Sequence, residues 1–231
     1  MSSIAVNAIT DANAGNTATI NSVTPNVNNV VGKNRIINGN MVIDQRNAGA
    51  SVTNINAKLY TVDRFWCYGS QASKFTGQQN AGAVTPPPGF KNYLGITSSS
   101  AYTVGASEFF SIYQSIEGFN FSDMAWGTAS ASAITLSFWV RSSLTGLQGG
   151  SLINGGDTRS YPFSYTVNVA NTWEKKSITI AGETTGSWPS TNTTGVNVGF
   201  NLGAGATASG TPGSWSSTIY RAPPGATSVV G

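Results

Sequence analysis

Apolar and polar residues alternate with a period of two along most of the chain. Over 134–141, Ile134, Leu136, Phe138 and Val140 fall on one side of an extended backbone, with Thr135, Ser137, Trp139 and Arg141 on the other. The run 196–202 repeats the pattern, setting Val196, Val198, Phe200 and Leu202 against Asn197, Gly199 and Asn201. Such alternation predicts half-buried strands, and these two are expected to be central. Further strands are predicted over 35–44, 61–68, 93–97, 109–116, 161–167 and 173–180. No convincing amphipathic helix of useful length interrupts them. The fold class this predicts is all-β, with two sheets packed face to face.

The connections carry their own signals. Pro86, Pro87 and Pro88 lack backbone donors, so with Gly89 they form a stiff surface turn rather than part of a ladder. Residues 146–156 read as a Gly-rich excursion between strands, and 203–213 as a long flexible loop before Trp215. A single helical turn is expected within 119–126, with Ser122 as its N-cap.

The pattern is absent from the first 33 residues. That stretch has no aromatic residue, one acid (Asp11) and one lysine (Lys33), and is rich in Asn, Thr and Ala. Such a segment cannot bury enough apolar surface to fold alone, so it must stay mobile or order itself against a partner. The chain therefore divides into an arm, 1–33, and a β body, 34–231. The arm's apolar residues Ile4, Val6, Ile9, Ile20 and Val23 are its candidate attachment points.

Charge and chemistry narrow the function. Only 9% of residues are charged, with a net +3 spread over scattered side chains, so no basic stripe tracks a phosphate backbone and nucleic acid is not an expected partner. No window is apolar enough for a membrane span, and no secretory leader opens the chain. The lone Cys67, between Trp66 and Tyr68, reads as a buried thiol. Histidine is absent, which excludes Ser-His-Asp and Cys-His catalysis and histidine-ligated metal sites. Paired carboxylates could still hydrolyse glycosides, but Asp44, Asp63, Glu108, Glu117, Asp123, Asp157, Glu174 and Glu183 stand singly along the sequence. Neither the NGNM segment at 38–41 nor Gly155-Gly156 opens a helix, so no phosphate-binding loop is present. No cofactor and no metal are expected.

Aromatic platforms are the remaining chemistry. Sugars rest their C–H faces on indole and phenol rings, while amide and guanidinium groups bond their hydroxyls. The polar sides of the two central strands carry Trp139, Arg141, Asn197 and Asn201. By the same parity Tyr113 and Trp173 join that face, and the late loops add Trp188 and Trp215. Packing in a core or against a neighbouring subunit competes with ligand contact for each ring. Trp139→Ala is expected to weaken glycan binding and leave the fold intact.

Read together, NRIINGNMVIDQRNAGASV, YTVDRFWCYG, IYQSIEGFN, TLSFWVRSSLTG, NGGDTRSYPFSYTV, ANTWEKKSITIAGETTGSW and GFNLGAG resemble a family of tailed-bacteriophage virion proteins, tail-fibre or tail-associated, and the opening MSSIAVNAITDANAGNTATINSVTPN is similar to the arm they carry. More distantly, NGNM, TLSFWVRS and WEKKSITI resemble carbohydrate-binding modules with a galactose-binding-like jelly roll. The resemblance implies a structural protein of the virion, assembled in the host cytoplasm, without enzymatic activity. Its arm would bind other virion proteins, and its body, a symmetric homo-oligomer and in the expected form a trimer, would bind host-surface polysaccharide as a tail fibre or receptor-binding subunit. Capsid decoration or a head fibre is the alternative, and a polysaccharide depolymerase is the third reading. Members of the family close the sandwich with a strand after a GATSVVG-like segment. Here that strand would follow Gly231 or come from a neighbouring subunit, and without it a sheet edge would stay open.

Overall fold

A computed structural model describes residues 33–230. Contacts divide the chain after Arg35, and the fold belongs to the unit that begins at Ile36. The expected arm, 1–33, with Ile4, Val6, Ile9, Ile20 and Val23, lies outside the described residues apart from Lys33.

Among the described residues ten strands form: β1 Leu59–Val62, β2 Phe65–Gly69, β3 Phe75–Gln79, β4 Leu94–Ser98, β5 Phe109–Glu117, β6 Ile134–Val140, β7 Gly146–Asn154, β8 Ser160–Val167, β9 Glu174–Ile180 and β10 Thr194–Ala204. Helix among the described residues is confined to short 3-10 turns, so the all-β expectation holds. One antiparallel sheet has six strands in the order β1-β2-β5-β10-β7-β8, and β3-β4 and β6-β9 are separate two-stranded ladders. The long β10 lies at its centre, placing Val198 opposite Gln114 of β5 and Leu152 of β7.

Parity then decides what is buried. Ile116, Val196, Val198, Leu152 and Phe163 of the large sheet form one core with Leu136 of β6 and Ile180 of β9. Cys67, Phe110 and Leu202 form a second with Phe75 of β3 and Ile55. Both small ladders thus cover the same face of the six-stranded sheet, giving a two-layer sandwich whose second layer is split. The split layer meets where Trp173 Nε1 donates to Thr85 O at 2.8 Å and the Trp173 and Tyr93 rings touch at 5.6 Å. Cys67 is fully buried, and burial pushes its thiol up to about 12, with the Thr61 hydroxyl pulling partly back.

Several segments depart from the sequence reading. Residues 35–44 form no strand: Asn38 and Met41 take left-handed conformations (φ 57° and 55°), and Asn38 closes the segment on itself, accepting from Ile43 N–H and donating to Ile43 O. Turn chemistry outweighs apolar alternation there. The 61–68 strand is the β1-β2 hairpin, turning through Asp63 and Arg64. The excursion at 146–156 is the interior strand β7, because its glycines are demanded by close neighbours. A Cβ on Gly150 would lie 2.0 Å from Gly199 O, and one on Gly149 would lie 2.2 Å from Phe163 O. Strand β3, FTGQQ, has too little alternation to be seen in sequence. The 119–126 turn is two 3-10 turns, with Phe121 and not Ser122 in the cap position of the second. Beyond Ala204 the 203–213 loop is tied down, Gly205 N–H donating to Glu108 O at 2.9 Å and Gly210 N–H to Ala222 O at 2.9 Å. Where β7 and β10 cease to pair, Thr227 N–H donates to Leu147 O and Val229 N–H to Leu202 O, so 227–229 lie between the strand ends without forming a strand.

Candidate functional site

At one end of the sandwich, after β5, the chain turns through Gly118–Asn120 and Ser122–Met124 and lies against the strand of backbone that leads into β10. Gly118 and Phe119 N–H donate to Thr193 and Thr191 O. A Cβ on Gly118 would lie 2.1 Å from Pro189 O, so the close approach depends on glycine. This crossing inserts Phe121, Met124 and Trp126 into the main core.

Three indoles meet there. Trp126 contacts Trp188 at 4.9 Å and Trp215 at 5.1 Å, and Trp188 contacts Trp215 at 5.5 Å, all nearly perpendicular. Phe121 adds an edge contact to Trp126 at 4.7 Å, and Tyr161 lies 5.2 Å from Trp215. Edge-to-face pairs satisfy the ring quadrupoles and hold the cluster in one geometry. Each indole N–H is spent on a backbone carbonyl: Trp126 on Ser132, Trp188 on Thr185 and Trp215 on Ala181. What the rings offer outward is therefore apolar surface, not donors.

A cleft of about 350 Å³ opens beside them, walled by Phe121, Trp126, Trp188 and Pro189, with Ser122, Thr128 and Ser190 bringing hydroxyls and Ala125 and Gly195 completing the lining. None of these residues is charged. Ala125 holds φ 53° and Gly127 φ 85°; a Cβ on Gly127 would lie 2.9 Å from the Trp188 ring. Behind the cleft, buried Glu183 accepts from Arg159 at 2.7 Å and from both the hydroxyl and the N–H of Thr185, while its backbone O takes the Gly127 N–H. Burial alone would push the Glu183 carboxyl up, but the bonds from Arg159 and Thr185, with the Arg159 charge, together hold it below the usual carboxylate range. This ion pair fixes the loop that carries Trp188.

The residues expected on one binding face do not share it. Phe138 points inward to touch Phe200 at 4.9 Å, so Trp139 and Arg141 lie on the outside of the β6-β9 layer, whereas Asn197, Asn201 and Tyr113 lie on the outside of the six-stranded sheet. Period two assigns sides within a strand but not which side two different sheets turn inward, and here the two polar sides face opposite ways. Arg141 Nε donates to Asn171 O. Tyr113 is buried, stacked on Trp66 at 4.4 Å, its hydroxyl accepting from Arg221 at 2.8 Å; burial pushes that hydroxyl up, with Arg221 pulling partly back. Asn197 accepts from Ser115, and Asn201 is buried, accepting from Gly203 N–H. Trp173 is occupied at the junction of the ladders. Tyr113, Asn197 and Asn201 share the outer face of the large sheet, the Tyr113 ring lying over Gly199 between the two asparagines, while Trp188 and Trp215 meet elsewhere, with Phe121 and Trp126, which the sequence reading did not single out. The signal for Trp126 lay in its place within a weak turn followed by glycine.

Among the described residues no group of three His, Cys, Asp or Glu side chains is placed to hold a metal ion, and no helix is long and apolar enough to cross a membrane. No family model and no curated protein matches the chain. A crystal structure of the enzymatically active domain of tailspike protein 4 from bacteriophage CBA120 is similar at 11% identity and a TM-score of 0.38, over 60% of this chain and 17% of that one. At that TM-score the two share too little geometry for an activity to pass from one to the other.

Proposed function

We propose that the protein is a non-enzymatic structural component of a bacteriophage virion, a tail-fibre or receptor-binding subunit that attaches through its arm, 1–33, and contacts host-surface glycan with its body. The observation that carries the glycan reading is the cleft at Trp126 and Trp188. Flat indole and phenyl surface, with its N–H groups already satisfied, stands beside three hydroxyl-bearing side chains and no charge. That is the chemistry for a sugar ring laid by its C–H face on an aromatic wall. No carboxylate lines the cleft, and the buried acid behind it is locked to Arg159, so nothing there is placed to protonate a glycosidic oxygen. The virion assignment draws on the resemblance of the NRIINGNM and DRFW segments and on the aromatic-free arm before them. A jelly-roll body in a trimer is part of the same proposal.

The test is a glycan array with the full chain, repeated with Trp188→Ala and Trp139→Ala. Binding lost in the first variant and kept in the second places the ligand at the cleft. No glycan retained by the full chain, or the reverse order of the two variants, would refute the cleft reading. For the arm, a variant lacking 1–33 that still entered particles at the normal level would refute attachment.

A further inference from the structure

The aromatic cleft is graded from base to rim. Phe121 and Trp126 belong to the main core and are only 4% and 6% exposed, so strips of their rings, not whole faces, reach the cleft. Gly195 beside them is buried too, while Ala125, Trp188 and Pro189 are half-buried. The hydroxyl residues Ser122, Thr128 and Ser190 are exposed. The base is therefore apolar and the rim hydroxyl-bearing, and of the three rings Trp188 is the one with surface to spare.

Few donors are left to meet a ligand. Trp126 and Trp188 spend their indole N–H groups on Ser132 O and Thr185 O. Thr128 gives its hydroxyl proton to Ala125 O at 2.7 Å and accepts from Ser130 N–H at 3.2 Å, so it is satisfied in both directions. Ser122 reaches Phe119 O only at 3.5 Å, the outer limit of a hydrogen bond, and the Ser190 hydroxyl is free among the described residues. The side-chain donors available are thus two serine hydroxyls, both at the rim. A hydroxyl carried to the base would give up its water and meet no side-chain partner in exchange.

We infer that the cleft selects a neutral 6-deoxyhexose, its C5 methyl seated at the base against Phe121 and Trp126, its C–H face on Trp188 and its ring hydroxyls turned to Ser122 and Ser190. The inference rests on the cleft being the glycan site. At the base a methyl gains from burial, whereas the oxygen of a hydroxymethyl group is desolvated without compensation. A volume of about 350 Å³, at the small end of ligand pockets, suits one such residue. An acetamido group also ends in a methyl, but an amide N–H and C=O follow it, and no side-chain amide or free indole N–H lines the cleft to meet them. A uronic acid would bring its carboxylate to walls that hold no cation.

The test titrates the full chain with methyl α-L-fucopyranoside and methyl α-L-galactopyranoside, which differ only in the hydroxyl at C6. The second such pair is methyl α-L-rhamnopyranoside and methyl α-L-mannopyranoside, and the indole N–H resonances of Trp126 and Trp188 are followed throughout. Saturable shifts are expected from at least one 6-deoxy glycoside, its 6-hydroxy counterpart binding about tenfold more weakly. Ala125→Asn sets an amide at the cleft in a left-handed conformation that asparagine accepts, and should narrow that difference to about twofold with an unchanged melting temperature. Equal binding within a pair, or tighter binding of the 6-hydroxy sugar, would overturn the inference and leave the cleft a glycan site. Tighter binding of methyl N-acetyl-β-D-glucosaminide than of either 6-deoxy glycoside would do the same. Absence of saturable shifts from both 6-deoxy glycosides up to about 50 mM would also overturn it. A glycan array with hits then keeps the glycan reading standing, and a blank array removes that reading as well.

Discussion

The body carries two clefts built in opposite ways, the aromatic one and one of about 550 Å³ where the segment 37–46 meets the β1-β2 hairpin, lined by Ile37, Ile43, Tyr60 and Arg64 among others. The aromatic cleft is made of core residues brought to the surface: Phe121 and Trp126 belong to the main hydrophobic cluster, and glycines at 118 and 127 let backbone and Trp188 close over them. The isoleucine cleft owes little to the core. It is shaped by side-chain amides, Asn38 and Gln114, that bond backbone in a segment with no ladder of its own. The first presents apolar faces whose indole N–H groups are spent, and the second sets exposed isoleucines beside arginines already paired with Asp63 and Glu117. A binding surface takes its selectivity from what its scaffold leaves open, and the first leaves flat rings where the second leaves aliphatic side chains among paired charges.

The sharpest way to separate them is to remove the ion pair behind the first. Glu183→Ala strands Arg159, whose side chain is 20% exposed, and is expected to cost about 3 kcal/mol in chemical denaturation. It should also release the Trp188 loop, so glycan binding falls while the backbone amide resonances of Ile37, Ile43 and Arg64 stay in place. Movement of those resonances as well would show that the clefts are one cooperative unit. The converse variant is Asn38→Ala, which combines a left-handed alanine with lost side-chain bonds at about 2 kcal/mol. Asn38→Gly should cost about half as much, since glycine tolerates the φ. A smaller effect on stability, read in binding, is expected of Trp188→Phe. It keeps a flat face but gives up the Thr185 bond, and should retain most of the glycan affinity that Trp188→Ala loses, about tenfold.

These differences also mark what could be read from the chain. The strands at β5, β6, β8, β9 and β10 were legible because each sets apolar residues at alternate positions on the side that faces the core, so those residues betray the period. Strand β7 was not: its interior carries Gly149 and Gly150, chosen for the approach of Phe163 and Gly199, and close approach leaves no hydrophobic signature in sequence. The same holds for the aromatic cleft. Trp188 and Trp215 were visible as rings in loops, but their meeting with Trp126 depends on Gly127 and on a buried carboxylate whose Arg159 partner is 24 residues away. The shared face expected of Trp139 and Asn197 failed for a related reason. Alternation fixes sides along one strand, and the packing of separate ladders fixes which side looks inward.

A last and smallest effect belongs to neither cleft. Glu174 opens β9 and accepts from Lys176 Nζ at 2.6 Å, from the N–H of Val169 and from both the side-chain amide and the N–H of Asn168. The Lys176 bond first, then the backbone bond from Val169, brings its carboxyl from an ordinary 4.5 down to about 2, against a smaller opposing push from burial. A folded value below the unfolded one means the stabilisation is whole above about 4.5 and is lost as pH falls toward 2. Glu174→Gln should therefore be less stable than the natural chain at neutral pH and converge with it near pH 2, as read by denaturant midpoints at stepped pH. The aromatic cleft should keep its glycan in this variant at neutral pH, because the bonds it breaks stay within 168–176. If glycan binding falls with it, the β6-β9 layer is transmitting strain to the sheet, and the cleft is less independent of that layer than its own scaffold implies.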